Sequence, residues 1–307
     1  MASKPNLFII GAMKCGTTSL HNYLDAHPDI AMSENKEPGY FVEELGLRNG
    51  ERWYQELFAD ENHCQYRGES STHYTKLPLY SGVPERLFHF NPNARLIYIM
   101  RDPFERVISH YWHAVRDIHF GGELRPLIKA VSEQPDYLAF SDYALQLQPY
   151  IDRFGKDAVL TLTFESLIKA PQAELNRIFD WLRLPRQTIG NAAQTAHNQK
   201  PEVIQGVAGA GILNRIQYSA TWDRIAHLVP VGFKDWARKI AYRKVDDDEV
   251  SRDVAKLRAI VLEKQQKQVD TLRRLLGRDF PEWSVQGTSP ARQTTPAGVG
   301  AVQVDFA

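Results

Sequence analysis

The stretch FIIGAMKCGTT, residues 8–18, constrains the rest of the chain more than any other. An apolar run reaches Gly11, four residues intervene, and Gly16 is followed by Thr17, Thr18 and Ser19. A strand, a glycine loop and a helix start in this order aim free backbone N–H groups and the positive end of a helix dipole at one spot, which suits an anion. A Walker A loop would place Lys and then Ser or Thr after the second glycine, to reach terminal phosphates and magnesium. Here the cation, Lys14, lies inside the loop, two residues before Gly16. That order serves a magnesium triphosphate poorly. A ligand with one less charged 5′ group and no metal fits better, and the bland alternative is a plain glycine turn joining strand to helix.

Apolar runs alternate with helical patterns along the chain, as parallel strands with crossover helices require. Strands are expected at NLFII (6–10), ARLIYIM (94–100) and AVLTLTF (158–164), with YRGES (66–70) as a fourth. The first helix starts in the Thr17–Ser19 cluster and ends before Pro28, because the residue ahead of a proline avoids the helical region. A second follows Pro103, with Phe104, Val107, Ile108, Tyr111 and Val115 at helical spacing. SDYALQLQPYIDRF (141–154) and PQAELNRIFDWLRL (171–184) are amphipathic, and a long helix over 248–276 is closed by Gly277. The expectation is a P-loop-like three-layer α/β domain, a central parallel sheet flanked by helices, over residues 1–283. Within it 186–245 reads as a lid or insert, and 284–307, rich in Gly, Pro and Thr, reads as a disordered tail.

Composition sets outer bounds. Basic and acidic residues number 37 each, so no global field draws nucleic acid or an anionic membrane, and any anion site is local. No apolar run approaches the ~20 residues of a membrane span, and the N-terminal run is too short for a signal peptide. Cys15 and Cys64 make no disulfide framework, so a reducing, cytoplasmic setting is expected. The basic aromatic segment VGFKDWARKIAYRK (231–244) reads as a solvated helix with its apolar side on the core, the alternative being a segment that rests on a membrane surface or meets a greasy substrate. Oligomeric state is not legible.

At Lys14, Gly16, Thr17, Thr18 and Ser19 the chain resembles the sulfotransferases that use 3′-phosphoadenosine 5′-phosphosulfate (PAPS). Their 5′-phosphosulfate loop has a lysine, any residue, a glycine and two hydroxyl residues in this order. IMRDPFERVISHYWH matches that family's second element, an arginine at a strand end and a serine eight residues later, as Arg101 and Ser109. A guanidinium gives a phosphate a charge-assisted fork, and a serine hydroxyl adds a further donor. Taken alone, Arg101 would be a salt-bridge partner of Asp102 or Glu105, and Ser109 an exposed helix residue. The resemblance spans roughly residues 5–185. It implies PAPS as donor, adenosine 3′,5′-bisphosphate (PAP) as product and no metal. The implied donor site is Lys14, Cys15, Gly16, Thr17, Thr18, Ser19, Arg101 and Ser109; from position alone, and not from the resemblance, the glycine-rich stretch around Asn198 and Lys200 is expected to close over the nucleotide.

HPDIAMSENKEPGYF resembles the heparan sulfate N- and O-sulfotransferase branch, in which a glutamate ahead of an aromatic pair is the catalytic base. The matching residue is Glu37, with Tyr40 and Phe41 behind it; Glu34 is a rival, and either carboxylate would otherwise cap or solvate a loop. RGESSTHYT matches a segment where that branch has a glutamate, a lysine and a small hydroxyl residue. Here those positions hold Glu69, Ser70 and Ser71, with His73 available to compensate for the missing lysine or else merely solvated in its loop; the acceptor contacts expected from this resemblance are Glu37, Tyr40, Phe41, Glu69, Ser70 and His73. The resemblance thus implies in-line transfer of a sulfonate to a hydroxyl or amine, with Lys14 on the bridging oxygen and Glu37 as base. A P-loop kinase or nucleotide hydrolase, and a non-catalytic nucleotide-binding protein, are the alternatives. The acceptor, small molecule or carbohydrate, stays open; Tyr40, Phe41, Trp53, Tyr54 and Trp112 are candidates to line its pocket. His110, His113 and His119 lack carboxylate partners at metal-binding spacing and read as core or surface residues, and Cys15 reads as packing.

Overall fold

In the computed structural model, residues 4–58, 64–116, 122–123, 125–188, 204–206, 242–244 and 247–286 are described. The strands are β1 (Leu7–Gly11), β2 (Ile30–Met32), β3 (Tyr66–Ser70), β4 (Arg95–Met100), β5 (Val159–Thr163), β6 (Ile204–Gly206) and β7 (Tyr242–Lys244). The first five form one sheet in the order β2-β3-β1-β4-β5, every pair parallel. β6 and β7 pair antiparallel in a separate ribbon. The helices are α1 (Thr17–Asp25), α2 (Gly50–Glu56), α3 (Val83–Phe90), α4 (Pro103–Arg116), α5 (Leu127–Glu133), α6 (Asp136–Ala139), α7 (Tyr143–Phe154), α8 (Phe164–Lys169), α9 (Pro171–Leu182) and α10 (Asp247–Leu276).

β1 sits at the centre because it is apolar on both faces: Leu7, Phe8, Ile9 and Ile10 are all fully buried. A strand covered by helices on each side needs such a continuous run rather than alternation, and each of these side chains contributes roughly 1.5–3 kcal/mol by leaving water. β4 beside it, RLIYIM, follows the same rule. The central parallel sheet flanked by helices is the architecture expected of the sequence. β2 was not expected: three residues at a sheet edge are too few to show a period. Among the described residues no helix is long and apolar enough to cross a membrane.

Two regions differ from the sequence reading. Ser284 and Val285, assigned to a disordered tail, are docked: Val285 is fully buried, and the backbone N–H groups of both residues donate to Asp102 Oδ2. Residues 287–307 lie outside the described residues. The segment VGFKDWARKIAYRK, expected as a helix, ends in the strand Tyr242–Lys244; residues 231–241 lie outside the described residues.

Candidate active site

The C-terminal ends of β1, β3 and β4 converge on a cleft of about 430 Å³. After β1 the chain turns through Ala12–Gly16 into α1, and no side chain caps that helix, so its first N–H groups are left for a ligand. Both glycines are required by close approach. A Cβ at Gly11 would lie 2.1 Å from Thr75 Oγ1, and one at Gly16 would lie 2.7 Å from the Phe164 ring. Lys14 adopts φ 69°, and Glu37 adopts φ 63°. Non-glycine residues held in this left-handed region collect at functional sites, where surrounding structure compensates the strain.

Glu37 reaches the cleft from the loop after β2, whose backbone is tied to β3 through Glu37 N–H donating to Ser70 O at 2.9 Å. Its Oε1 accepts from Lys36 Nζ at 2.5 Å, and its Oε2 accepts from the Thr72 N–H at 2.7 Å and Thr72 Oγ1 at 3.1 Å. His73 Nδ1 stands 3.3 Å from Oε2, at ion-pair distance but off the hydrogen-bond angle. Burial works to raise the carboxyl pKa, yet the His73 contact and the Lys36 ammonium outweigh it and hold the group down at about 2.

At the other end, Arg101 leaves the tip of β4 and Ser109 follows on α4, both lining the same cleft. Arg101 pairs with Glu105 at 3.7 Å and lies over the Phe164 ring at 5.0 Å. Asp102 points away from it: Oδ1 accepts from the Phe104 and Glu105 N–H groups, capping α4, while Oδ2 takes the C-terminal segment. Tyr143 donates its hydroxyl to Arg101 O at 2.7 Å, fixing the backbone that presents the guanidinium.

Of the expected site residues, the structure gathers Lys14, Gly16, Thr17, Thr18, Ser19, Glu37, His73, Arg101 and Ser109 around this one cleft. Cys15, Glu69, Ser70, Tyr40 and Phe41 do not line it. Cys15 is fully buried with Sγ 3.8 Å from Tyr143 Oη, its N–H donates to Ala12 O, and burial pushes its thiol up to about 12, so it packs behind the loop and faces no donor. Glu69 is fully buried and accepts from Tyr54, Tyr74 and Ser71 hydroxyls; burial raises its carboxyl to about 7. Ser70 is sealed too, 2.8 Å from His21 Nδ1. Tyr40 and Phe41 are core residues: Tyr40 stacks on Tyr54 at 4.2 Å, and Phe41 packs edge-on against Phe8. None of Tyr40, Phe41, Trp53, Tyr54 and Trp112 lines the cleft. Asn198 and Lys200 lie outside the described residues, as does His119.

Sequence reasoning missed Lys36, Lys76, His113 and Phe164, all of which line the cleft. Lys36 was legible as the neighbour of Glu37. His113 follows Ser109 by four residues on α4 and so shares its face. No pattern in the chain marks Lys76 or Phe164.

Three comparisons bear on this site's ancestry. Residues 4–203, more than half the chain, match the family described as Sulfotransferase domain. The chain is 37% identical over 115 residues to the membrane-associated sulfotransferase kil1 of Dictyostelium discoideum, covering 36% of this chain and 23% of that protein. It is 26% identical over 204 residues to heparan sulfate glucosamine 3-O-sulfotransferase 3A1 of Mus musculus, covering 59% of this chain and 46% of the relative. The chain thus spans half or less of these curated relatives. Among solved structures, a sulfotransferase from Alicyclobacillus acidocaldarius superposes with a TM-score of 0.65 over 92% of this chain and 99% of its own, at 22% identity, a likeness of fold. With its glycine loop, its arginine-to-serine strand end and a family match across both, the chain belongs to the sulfotransferase family.

Proposed function

We propose that this chain moves the sulfonate of PAPS to a hydroxyl or amine of a small-molecule or carbohydrate acceptor. The observation that carries this reading is one cleft with an uncapped helix start and Lys14 near its middle, Glu37 on one side, and Arg101 with Ser109 on the other. Arg101 and Ser109 would grip the 3′-phosphate, an anion that ATP lacks. Lys14, with the first N–H groups of α1, would hold the 5′-phosphosulfate.

The proposed step is an in-line displacement at sulfur. The acceptor's hydroxyl or amine gives its proton to a Glu37 carboxylate oxygen and forms the new bond to sulfur. The bond between sulfur and the 5′-phosphate oxygen breaks, and its electron pair leaves on PAP. Negative charge grows on that oxygen as the bond lengthens, and a fixed cation beside it, Lys14, lowers the barrier electrostatically. Glu37 is ionised at neutral pH, as a proton acceptor must be. The acceptor and a cytoplasmic setting remain part of the proposal; the two buried cysteines, neither of them in a disulfide, fit a reducing compartment.

Thermal shift separates the readings, since a ligand that binds only the native state stabilises it by about 2.7 kcal/mol at a hundred times its Kd. PAP without metal should raise the Tm, and ATP with magnesium should leave it nearly unchanged. The reverse pattern would identify a kinase or hydrolase. Stabilisation by PAP with no transfer from labelled PAPS to any acceptor class in a broad screen would leave a binding protein.

A further inference from the structure

His21 joins the helix of the glycine loop to the segment that carries Glu37. It stands one turn after the cleft residue Thr17 on α1 and is buried. Its Nδ1 lies 2.8 Å from Oγ of Ser70, the last residue of β3. The ring also hydrogen-bonds the backbone carbonyl of Ser33, where the chain leaves β2 toward Glu37. Burial lowers the histidine pKa against the pull of Asp25, so at neutral pH the ring has one donor and one acceptor nitrogen for these two partners.

Both partners hold the Glu37 segment themselves. Ser33 N–H donates to Gly68 O at 2.8 Å, and Ser70 O accepts from Glu37 N–H at 2.9 Å. One imidazole therefore touches the start of this segment directly and its end through a single residue. The other inward positions of α1 are filled by Leu20, Tyr23 and Leu24, so core formation alone does not call for a histidine there. A buried polar group with partners on two other segments favours one arrangement of them, because a shift of either leaves a polar atom unpaired.

We propose that His21 is a positioning residue that sets the distance between the donor loop and Glu37, and so governs the transfer step without governing donor affinity. This rests on the transfer reading above. In that reading the donor sits at the start of α1 and the proton acceptor on the loop after β2, two places that α1 and β2 separate along the chain. An in-line displacement needs reacting atoms about 3–3.5 Å apart, and about 1 Å of misplacement costs on the order of a hundredfold in rate. The ring does not line the cleft, so its effect passes through Ser70 and Ser33.

The test measures PAP Kd, Tm and kcat for transfer from labelled PAPS, with 4-nitrophenol and a glucosamine oligosaccharide as acceptor probes, in wild type, His21→Leu, His21→Asn and Ser70→Ala. At a temperature where each variant is folded, His21→Leu should lower kcat by about tenfold to a hundredfold and keep PAP Kd within about twofold. His21→Asn, whose amide stands near the place of Nδ1, should recover part of kcat. Ser70→Ala should lower kcat in the same direction, and adding it to His21→Leu should lower kcat no further, since the contact is already gone. A histidine that only packs would lower Tm and leave the kcat of the folded protein alone. Wild-type kcat in folded His21→Leu, or a PAP Kd that weakens as much as kcat falls, overturns the assignment. Should His21→Leu not fold, Ser70→Ala carries the comparison, and an unchanged kcat there overturns it. Failure of the transfer reading shows in wild type, which then moves no sulfonate to any acceptor of the screen above; failure of this assignment shows in the variants alone.

Discussion

Glu37 is set up by its neighbours more than by its own chemistry. A carboxylate contacted by Lys36, Thr72 and His73 is well positioned and weakly basic. In the proposed reaction, the donor's negative charge arriving in the same cleft would offset Lys36 and raise the basicity of Glu37 when the acceptor is ready to lose its proton. Glu37→Gln should therefore keep PAP affinity within a few fold and lower kcat by about 10²–10⁴; turnover within a few fold of wild type would move the base elsewhere. Lys36→Gln removes a cation from beside the carboxylate, so its pKa rises. The acid limb of the kcat/KM profile should then shift to higher pH than in wild type. The sign for stability is the same as for any carboxylate depressed by folding. Glu37 contributes stability above its ordinary pKa of 4.5 and loses that contribution as pH falls toward about 2.

At the scale of elements, the sheet ends matter because they bring three separate chain segments to one place. Glu69 on β3 shows how. Its oxygens collect the Tyr54, Tyr74 and Ser71 hydroxyls, and Ser71 Oγ in turn accepts from the Gly39 N–H at 2.9 Å. One buried carboxyl thus ties the loop carrying Glu37 to the turn carrying His73, a positioning role in place of the acceptor contact expected from sequence. Because burial raises its pKa to about 7, the folded state holds a proton that the unfolded state releases near 4.5. Its contribution to stability therefore falls as pH rises between those values. Calorimetry should show the Tm advantage of wild type over Glu69→Gln shrinking from pH 4.5 to 7. Gly11→Ala tests the β1 end: with a Cβ 2.1 Å from Thr75 Oγ1, it should cost about 2–3 kcal/mol in a denaturant melt.

Much of this was legible in the chain. The glycine loop, β1, β4 and the Arg101-to-Ser109 step are local patterns, and local patterns survive in sequence. Glu37 was legible as a short motif. What sequence could not give is depth. Tyr40, Phe41, Glu69 and Ser70 sit in motif-like segments, but β3 is covered on both faces, which buries the neighbours Glu69 and Ser70 alike, and the aromatic cluster encloses Tyr40 and Phe41. Lys76 and Phe164 are the opposite case, unremarkable in sequence and brought to the cleft by elements far apart along the chain.

For the whole molecule, a net charge of zero conceals an uneven distribution. The cleft is lined by Lys14, Lys36, Lys76 and Arg101 against Glu37 as the one acid among its lining residues. PAP affinity should therefore fall as salt is raised from about 0.05 to 0.5 M, although the net charge of the chain is zero. The C-terminal segment then links this cleft to overall stability. Trp283 is nearly fully buried, stacks on Phe280 at 4.1 Å and donates from Nε1 to Glu165 Oε2 at 3.1 Å; the other oxygen of that carboxylate accepts from the Asp102 N–H at 2.9 Å. Ser284 and Val285 then bond Asp102 itself, the residue after Arg101. Trp283→Ala should cost about 3–5 kcal/mol in a urea melt, the usual range for losing a buried large aromatic. Because the lost contacts run to Asp102 and Glu165, its effect should extend past stability. At a temperature where the variant is still folded, PAP should bind more weakly than to wild type, whereas Ile168→Ala, an exposed change on α8, should leave both stability and PAP binding unaltered. Equal PAP affinity in folded Trp283→Ala and wild type would show that the C-terminal segment supports the fold without setting the position of Arg101.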